Sequence, residues 1–168
     1  VINILLTTSS TNNVQSMLFW LMGDLSQSRV NLAHYLLLIA GLAGGLLLCR
    51  SLNVLIRGQL LAVSLGVNVQ ALRLLLFFSA SVFTATAVTI AGSVGFVGLI
   101  VPHMLRLLGA RDHRFLIPSC ILLGGSFLVL ADSLARTIVA PQQLPVGVVT
   151  AVIGVPAFIL ILRSTIRK

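Results

Sequence analysis

From residue 74 to residue 105 the chain runs for 32 residues without one Asp, Glu, Lys or Arg. As one α-helix that run would reach roughly 48 Å at 1.5 Å per residue, well beyond a hydrocarbon layer about 30 Å thick. The run must fold back or break. The natural breaking point is AGSVG, Ala91 to Gly95, where two glycines and a serine loosen the backbone at the midpoint.

The same ruler applies elsewhere. Uncharged intervals cover 30–49, 115–131 and 137–162, and a membrane span needs roughly 20 apolar residues, with about 17 to 25 tolerated. A composition of 58% hydrophobic and 8% charged residues exceeds what a soluble domain can bury while keeping a wettable exterior. An all-α, polytopic helical membrane protein is expected, with five spans at 31–49, 71–90, 93–108, 115–135 and 144–162. The two spans made by breaking the long run, about 16 residues each, are both short. VINILL at the start reads as the end of an earlier span. The chain opens at a valine inside an apolar stretch, with neither an initiator Met nor a signal-peptide pattern, so 1–168 is expected to be one transmembrane domain cut from a longer protein.

Charge gives an independent test of the alternation, because cytoplasmic loops collect Lys and Arg. Arg50, Arg57 and Arg73 flank one connection, and 91–93 is uncharged. Arg106, Arg111 and Arg114 with Asp112 flank the next, Asp132 and Arg136 cancel in the fourth, and Arg163, Arg167 and Lys168 close the chain. Nine of the eleven basic residues fall on one side, which places that side and the C-terminus in the cytoplasm. The net charge of +8 is then a topology signal. Nucleic-acid binding needs a basic face on a wettable module, and the pattern provides none.

Two connections are more than plain loops. Residues 12–28 contain MLFWLMG, too short to cross, with Trp20 suited to the interface; a short helix near the outer surface is expected there. Residues 50–73, RSLNVLIRGQLLAVSLGVNVQALR, carry leucines at partly helical spacing punctuated by Gly58 and Gly66, which predicts two short amphipathic helices joined by a glycine turn. Such helices either lie on the membrane surface or dock a soluble partner.

Within the spans, recurring small residues such as Gly41 with Gly45, Gly124 with Gly125 and Gly147 with Ala151 allow close helix approach. Pro145 suits a helix start, whereas Pro156 is expected to kink the last span. Asp132 and Arg136 stand at i and i+4 near the outer end of a span and can pair on one face, or Arg136 can be presented to an acidic partner. No ionisable group falls at a predicted midplane, where proton-coupled transporters need one. His34, His103 and His113 share no spacing that brings them to one metal. Cys49 and Cys120 form no CxxC pattern, and no phosphate loop, nucleophile elbow or HExxH is present. No metal site, cofactor or catalytic residue is expected, and uphill transport would need another chain to supply the energy.

The ordered set AGSVGFVGLIVPHMLRLLGARDHR, GGSFLVLADSLAR and QLPVGVVTAVIGVPAFILIL resembles the permease subunits of ATP-driven importers of iron-siderophores, haem and vitamin B12, the type II ABC importers. The likeness runs from about Phe19 to Arg163. Those permeases have about ten spans, so the resemblance implies a C-terminal half: the tail of span five, then spans six to ten. It implies a bacterial inner-membrane protein that pairs with a second permease subunit, identical or not, above two cytoplasmic ATPase subunits and below an extracytoplasmic substrate-binding protein.

The family's paired coupling helices would map onto Leu52 to Val67, with Leu52, Leu55, Gly58, Gln59, Ala62, Leu65 and Gly66 as the ATPase-facing residues; Gln59 stands where the family usually has Glu. Pro102, His103, Arg106, Arg111, Asp112, His113 and Arg114 would make the second cytoplasmic turn. Arg136, with Asp132 beside it, matches the arginine that the family presents to the binding protein, and Gln143 begins the family's ELPVG with its acid replaced. An ion- or proton-coupled secondary transporter and a structural or signalling subunit are the readings of other classes.

Overall fold

The computed structural model describes residues 21–25, 28, 30–138 and 144–166. Among these the regular structure is helical: α1 (Leu32–Ile56), α2 (Gln59–Ser64), α3 (Val69–Ala91), α4 (Val97–Leu107), α5 (His113–Thr137) and α6 (Val146–Ile166). The expected helical membrane fold is what the structure shows. Three helices, α1, α3 and α5, are long and apolar enough to cross a membrane, and only 6%, 0% and 11% of their most apolar windows are buried within the chain. In lipid this is no defect, because the tails solvate leucine as well as another helix does.

The helices run up and down, so the ends carrying Arg50, Arg57, Arg73, Arg106, Arg111, Arg114 and Arg163 gather on one side, here termed the basic end. Two small apolar clusters mark the two levels of the bundle. Val101, Leu105 and Leu116 close α4 onto α5 toward the basic end, with Val97, Ala110, Cys120 and Leu123 around them. At the opposite end Ala131 and Ala135 of α5 meet Val146 and Val149 of α6, and Leu25, Val94 and Leu144 pack over them. There the Asp24 N–H bonds the Ala91 carbonyl at 3.1 Å, and the Leu144 N–H bonds that of Ala135, also at 3.1 Å. The MLFWLMG segment lies mostly outside the described residues, as do VINILL, Gln143, Arg167 and Lys168.

Three expectations need correction. The first span does not end at residue 49: α1 continues unbroken through Arg50 to Ile56, because no helix breaker stands before Gly58 and the Asn53 side chain has tertiary partners. The first predicted amphipathic helix is therefore the overhang of α1, and only the second, α2, is separate.

The break inside the long uncharged run falls where expected, but the segment after it is not a 16-residue helix. Residues 92–96 lack regular structure, and α4 has 11 residues, about 16 Å of helix, half a bilayer core. It begins deep in the bundle: an added Cβ at Gly154, eight residues beyond Val146 on α6, would stand 2.6 Å from Phe96 Cβ. Phe96 caps α4 in the left-handed region, with φ 67°, a conformation costly for an L side chain. Non-helical backbone at such depth persists where protein or an aqueous path covers it.

The third correction concerns the second turn at the basic end. Pro102, His103 and Arg106 are inside α4, so the turn itself is confined to residues 108–112. Pro156, by contrast, lies within a continuous α6.

Candidate functional site

The basic end carries most of the residues singled out from the sequence. α1 ends at Ile56, and Gly58, with φ 135°, turns the chain in a conformation open to glycine alone. The six-residue α2 follows. Its end closes with the Val67 N–H on the Ala62 carbonyl at 2.9 Å and the Gly66 N–H on that of Val63 at 3.0 Å, a Schellman pair that needs the positive φ of Gly66. Helix α2 is thus fixed at both ends by the two predicted glycines.

Within α2 only Ala62 is buried, while Leu60 is 89% exposed and Leu61, Val63 and Leu65 are exposed as well. Gln59 opens the helix, and its Oε1 accepts a 2.8 Å bond from Arg73 Nη2 on α3. Leu52 and Leu55 are half-buried in the α1 overhang. The expected ATPase-facing set therefore divides: Ala62 holds α2 down, Leu65 is exposed, and Gln59 is engaged within the chain. Leu60 and Leu61 belong to the leucine spacing that predicted this helix but not to the expected ATPase-facing set, and Val63 belongs to neither.

A second polar group joins this loop to the next. Asp112 caps α5, its Oδ1 accepting the Arg114 N–H at 2.9 Å. The same Oδ1 accepts Asn53 Nδ2 at 2.7 Å, and Asn53 Oδ1 lies 3.0 Å from the His113 N–H and 2.7 Å from His113 Nδ1. The Arg114 N–H first, and then the Asn53 amide, hold the Asp112 carboxyl below the ordinary aspartate range. Asn53 escaped the sequence reading because its partners lie 59 and 60 positions away. A signal was present nonetheless: Gly45, Cys49 and Asn53 recur every four residues on one side of α1, an added Cβ at Gly45 would stand 3.2 Å from Ile117 of α5, and Cys49 is fully buried.

At the opposite end Arg136 Nε bonds Asp132 Oδ2 at 2.8 Å, the i,i+4 pair expected, with the two side chains 40% and 26% exposed. The field of Asp24 also reaches Arg136, a neighbour from the far end of the described chain. His34 acts locally and caps α1, its Nδ1 accepting the Asn31 N–H at 2.9 Å. Among the described residues no three His, Cys, Asp or Glu side chains converge as a metal group would need.

A half-helix seated at mid-depth, an overhanging α1 and a glycine-bounded α2 distinguish this helical membrane fold, and comparison with known proteins places it in a family. The sequence profile of the FecCD transport family matches residues 1–164. The chain belongs to the FecCD transport family. Among FecCD relatives it is 44% identical over 161 residues to the cobalamin import system permease protein BtuC of Halobacterium salinarum, covering 95% of this chain and 43% of that one. It is 39% identical over 166 residues to the hemin transport system permease protein HmuU of Yersinia pestis, covering 97% and 50%. An ABC transporter permease protein of Bacillus subtilis, YvrB, is 43% identical over 154 residues, covering 90% and 43%.

The chain thus spans about half the length of the curated relatives it matches. The fold agrees: a solved structure described as an inward-facing conformation of a metal-chelate type ABC transporter superposes with a TM-score of 0.79 at 32% identity, over 89% of this chain and 49% of that one. The chain thus shares its helical membrane fold with a solved ABC transporter of 32% identity.

Proposed function

We propose that this chain is the C-terminal half of a roughly ten-span permease subunit that imports a metal chelate, of the iron-siderophore, haem or cobalamin kind, on energy from separate ATPase subunits. The observation that carries the reading is α2: a short helix with Gly58 before it and Gly66 after it, anchored by its buried Ala62, with Leu60, Leu61, Val63 and Leu65 exposed at the basic end. Exposed leucines on a tightly held helix suit a protein partner better than water. The named relatives, permeases of cobalamin and hemin import, support the cargo class.

On this reading the basic end faces the cytoplasm of a bacterial inner membrane, and α2 with Leu52, Leu55 and Gln59 rests on an ATPase subunit. The turn with Arg111, Asp112, His113 and Arg114 lies beside it, below Pro102, His103 and Arg106 of α4. A second permease subunit, identical or not, completes the translocation path. The chain does no chemistry of its own; ATP hydrolysis belongs to the partner. At the far end Arg136, oriented by Asp132, meets acidic residues of a substrate-binding protein. A mechanical link of this kind requires that the ATPase bind the loop differently in its two states, and a short helix held at both ends transmits such a difference where a slack loop would absorb it.

The test is co-purification of the full-length permease with its ATPase, followed by hydrolysis assays in membranes. Hydrolysis that rises when the binding protein is added supports the reading; uptake driven by a proton gradient with no ATPase present would sink it.

A further inference from the structure

We infer that Asn53 is a positioning residue that latches the two connections at the basic end into one moving body. The inference rests on the ATPase-driven reading above for its purpose, but its geometry stands alone. Two elements far apart in sequence meet here, the overhang of α1 that leads into α2 and the start of α5. Between them Asn53 makes a two-sided clasp: its Nδ2 donates to Asp112 Oδ1 at 2.7 Å, and its Oδ1 faces both the backbone N–H and Nδ1 of His113, at 3.0 and 2.7 Å.

An asparagine is the side chain this clasp demands, since it must donate on one side to a carboxylate and accept on the other from two N–H groups. With Asn53 Oδ1 as acceptor, His113 presents its Nδ1 as a donor. The Asp112 oxygen that receives Asn53 also caps α5 through the Arg114 N–H, so the clasp holds the first turn of α5, not a loose side chain.

The consequence is mechanical. Without the clasp a push on α2 slides the α1 overhang past α5. With it, the end of α1 and the start of α5 are displaced together, and α5 carries the movement through the bundle to Arg136 at its other end. Asn53 does this without touching a partner or cargo.

Exchanging the two side chains tests the pairing. Asn53→Asp sets two carboxylates face to face and repels. Asn53→Asp with Asp112→Asn restores a donor opposite an acceptor once the new amide at position 112 turns its Nδ2 toward the new carboxylate at position 53 and keeps its Oδ1 on the Arg114 N–H, the cap that Asn makes well. Spin labels at positions 60 and 111, both exposed, on full-length permease in lipid nanodiscs report the distance between the two connections. Wild type is expected to give one narrow distribution, Asn53→Asp a distribution about twice as wide as a clasped unit loosens, and the double exchange a narrow one again. In the complex with ATPase, the ratio of hydrolysis with binding protein to hydrolysis without it is expected to fall toward one in Asn53→Asp and to recover in the double exchange.

A broad distribution in wild type, an unchanged width in Asn53→Asp, or no recovery in the exchange overturns the latch. If Asn53→Asp fails to fold, recovery of folding and narrow width in the exchange still supports the pairing, and its absence overturns it. A wild-type permease that gives the narrow distribution yet binds no ATPase overturns the importer reading and leaves the clasp standing.

Discussion

Phe96 is seated on Gly154. The left-handed backbone of Phe96, φ 67°, is held where any side chain on Gly154 would meet its Cβ at 2.6 Å and Ile100 Cδ1 at 3.2 Å. The start of α4 and the middle of α6 therefore share one fitted contact.

Gly154→Ala is expected to push α4 away from α6 and to destabilise the detergent-solubilised protein by about 1–3 kcal/mol, the usual scale for overpacking. Thermal unfolding measures it. Phe96→Gly in the same chain removes both the obstructing Cβ and the strained φ, so the double variant should lose less than the two single losses added together.

Gly58→Pro forbids the φ of 135° at this turn and removes the N–H that bonds the Leu55 carbonyl at 3.2 Å. Strain of this kind costs about 1–3 kcal/mol. On the proposed function, hydrolysis by a bound ATPase should continue while uptake falls, read as hydrolysis and transport in the same proteoliposomes.

Gln59→Glu turns the 2.8 Å bond from Arg73 into an ion pair. Both groups are exposed, so the gain is at most about 1 kcal/mol and shrinks with salt. The loss of stability in Arg73→Ala should accordingly be larger and more salt-dependent on the Gln59→Glu background than in wild type, measured as chemical unfolding midpoints at low and high ionic strength.

Arg136→Glu replaces a cation beside Asp132 and within the field of Asp24 with a third acid. On the proposed function, binding of the substrate-binding protein to the permease should weaken by roughly 10- to 100-fold, equivalent to about 1.4–2.8 kcal/mol, in a surface-capture assay. Equal binding would remove the docking role and leave Arg136 as a structural partner of Asp132.

Asp112 is held below the ordinary aspartate range by the Arg114 N–H and the Asn53 amide. Its contribution to stability is full above the unfolded value of about 3.9, and is lost as pH falls through the lower folded value. The stability gap between wild type and Asp112→Asn should therefore narrow on acidification below about pH 4, followed by thermal unfolding across an acid series.

How far the sequence could be read depended on the range of the forces involved. Charge-free intervals located the long membrane helices, because the cost of burying charge in hydrocarbon acts residue by residue. Gly58 and Gly66 were legible as turns, since a positive φ selects glycine locally. The overhang of α1 was not, because Arg50, Ser51 and Asn53 suit either a loop or a helix, and contact with α5 decides. The half-length α4 was hidden for a related reason: Phe96 adopts its conformation against Gly154, 58 positions on. Of the candidate site, the glycine-bounded α2 could be inferred, whereas the Asn53 clasp joins residues 59 and 60 positions apart, marked only by the four-residue spacing of Gly45, Cys49 and Asn53.

Helix α1 is held at three heights. The Phe83 ring of α3 lies over Gly41, Ile117 of α5 lies against Gly45, and Asp112 and His113 bind Asn53. From the first to the last is about 18 Å of one continuous helix. Spinning α1 about its own axis would break all three seats at once, and a rigid tilt about Asn53 moves Gly45 about two-thirds as far as Gly41, so α1 cannot leave Phe83 without also shifting against Ile117.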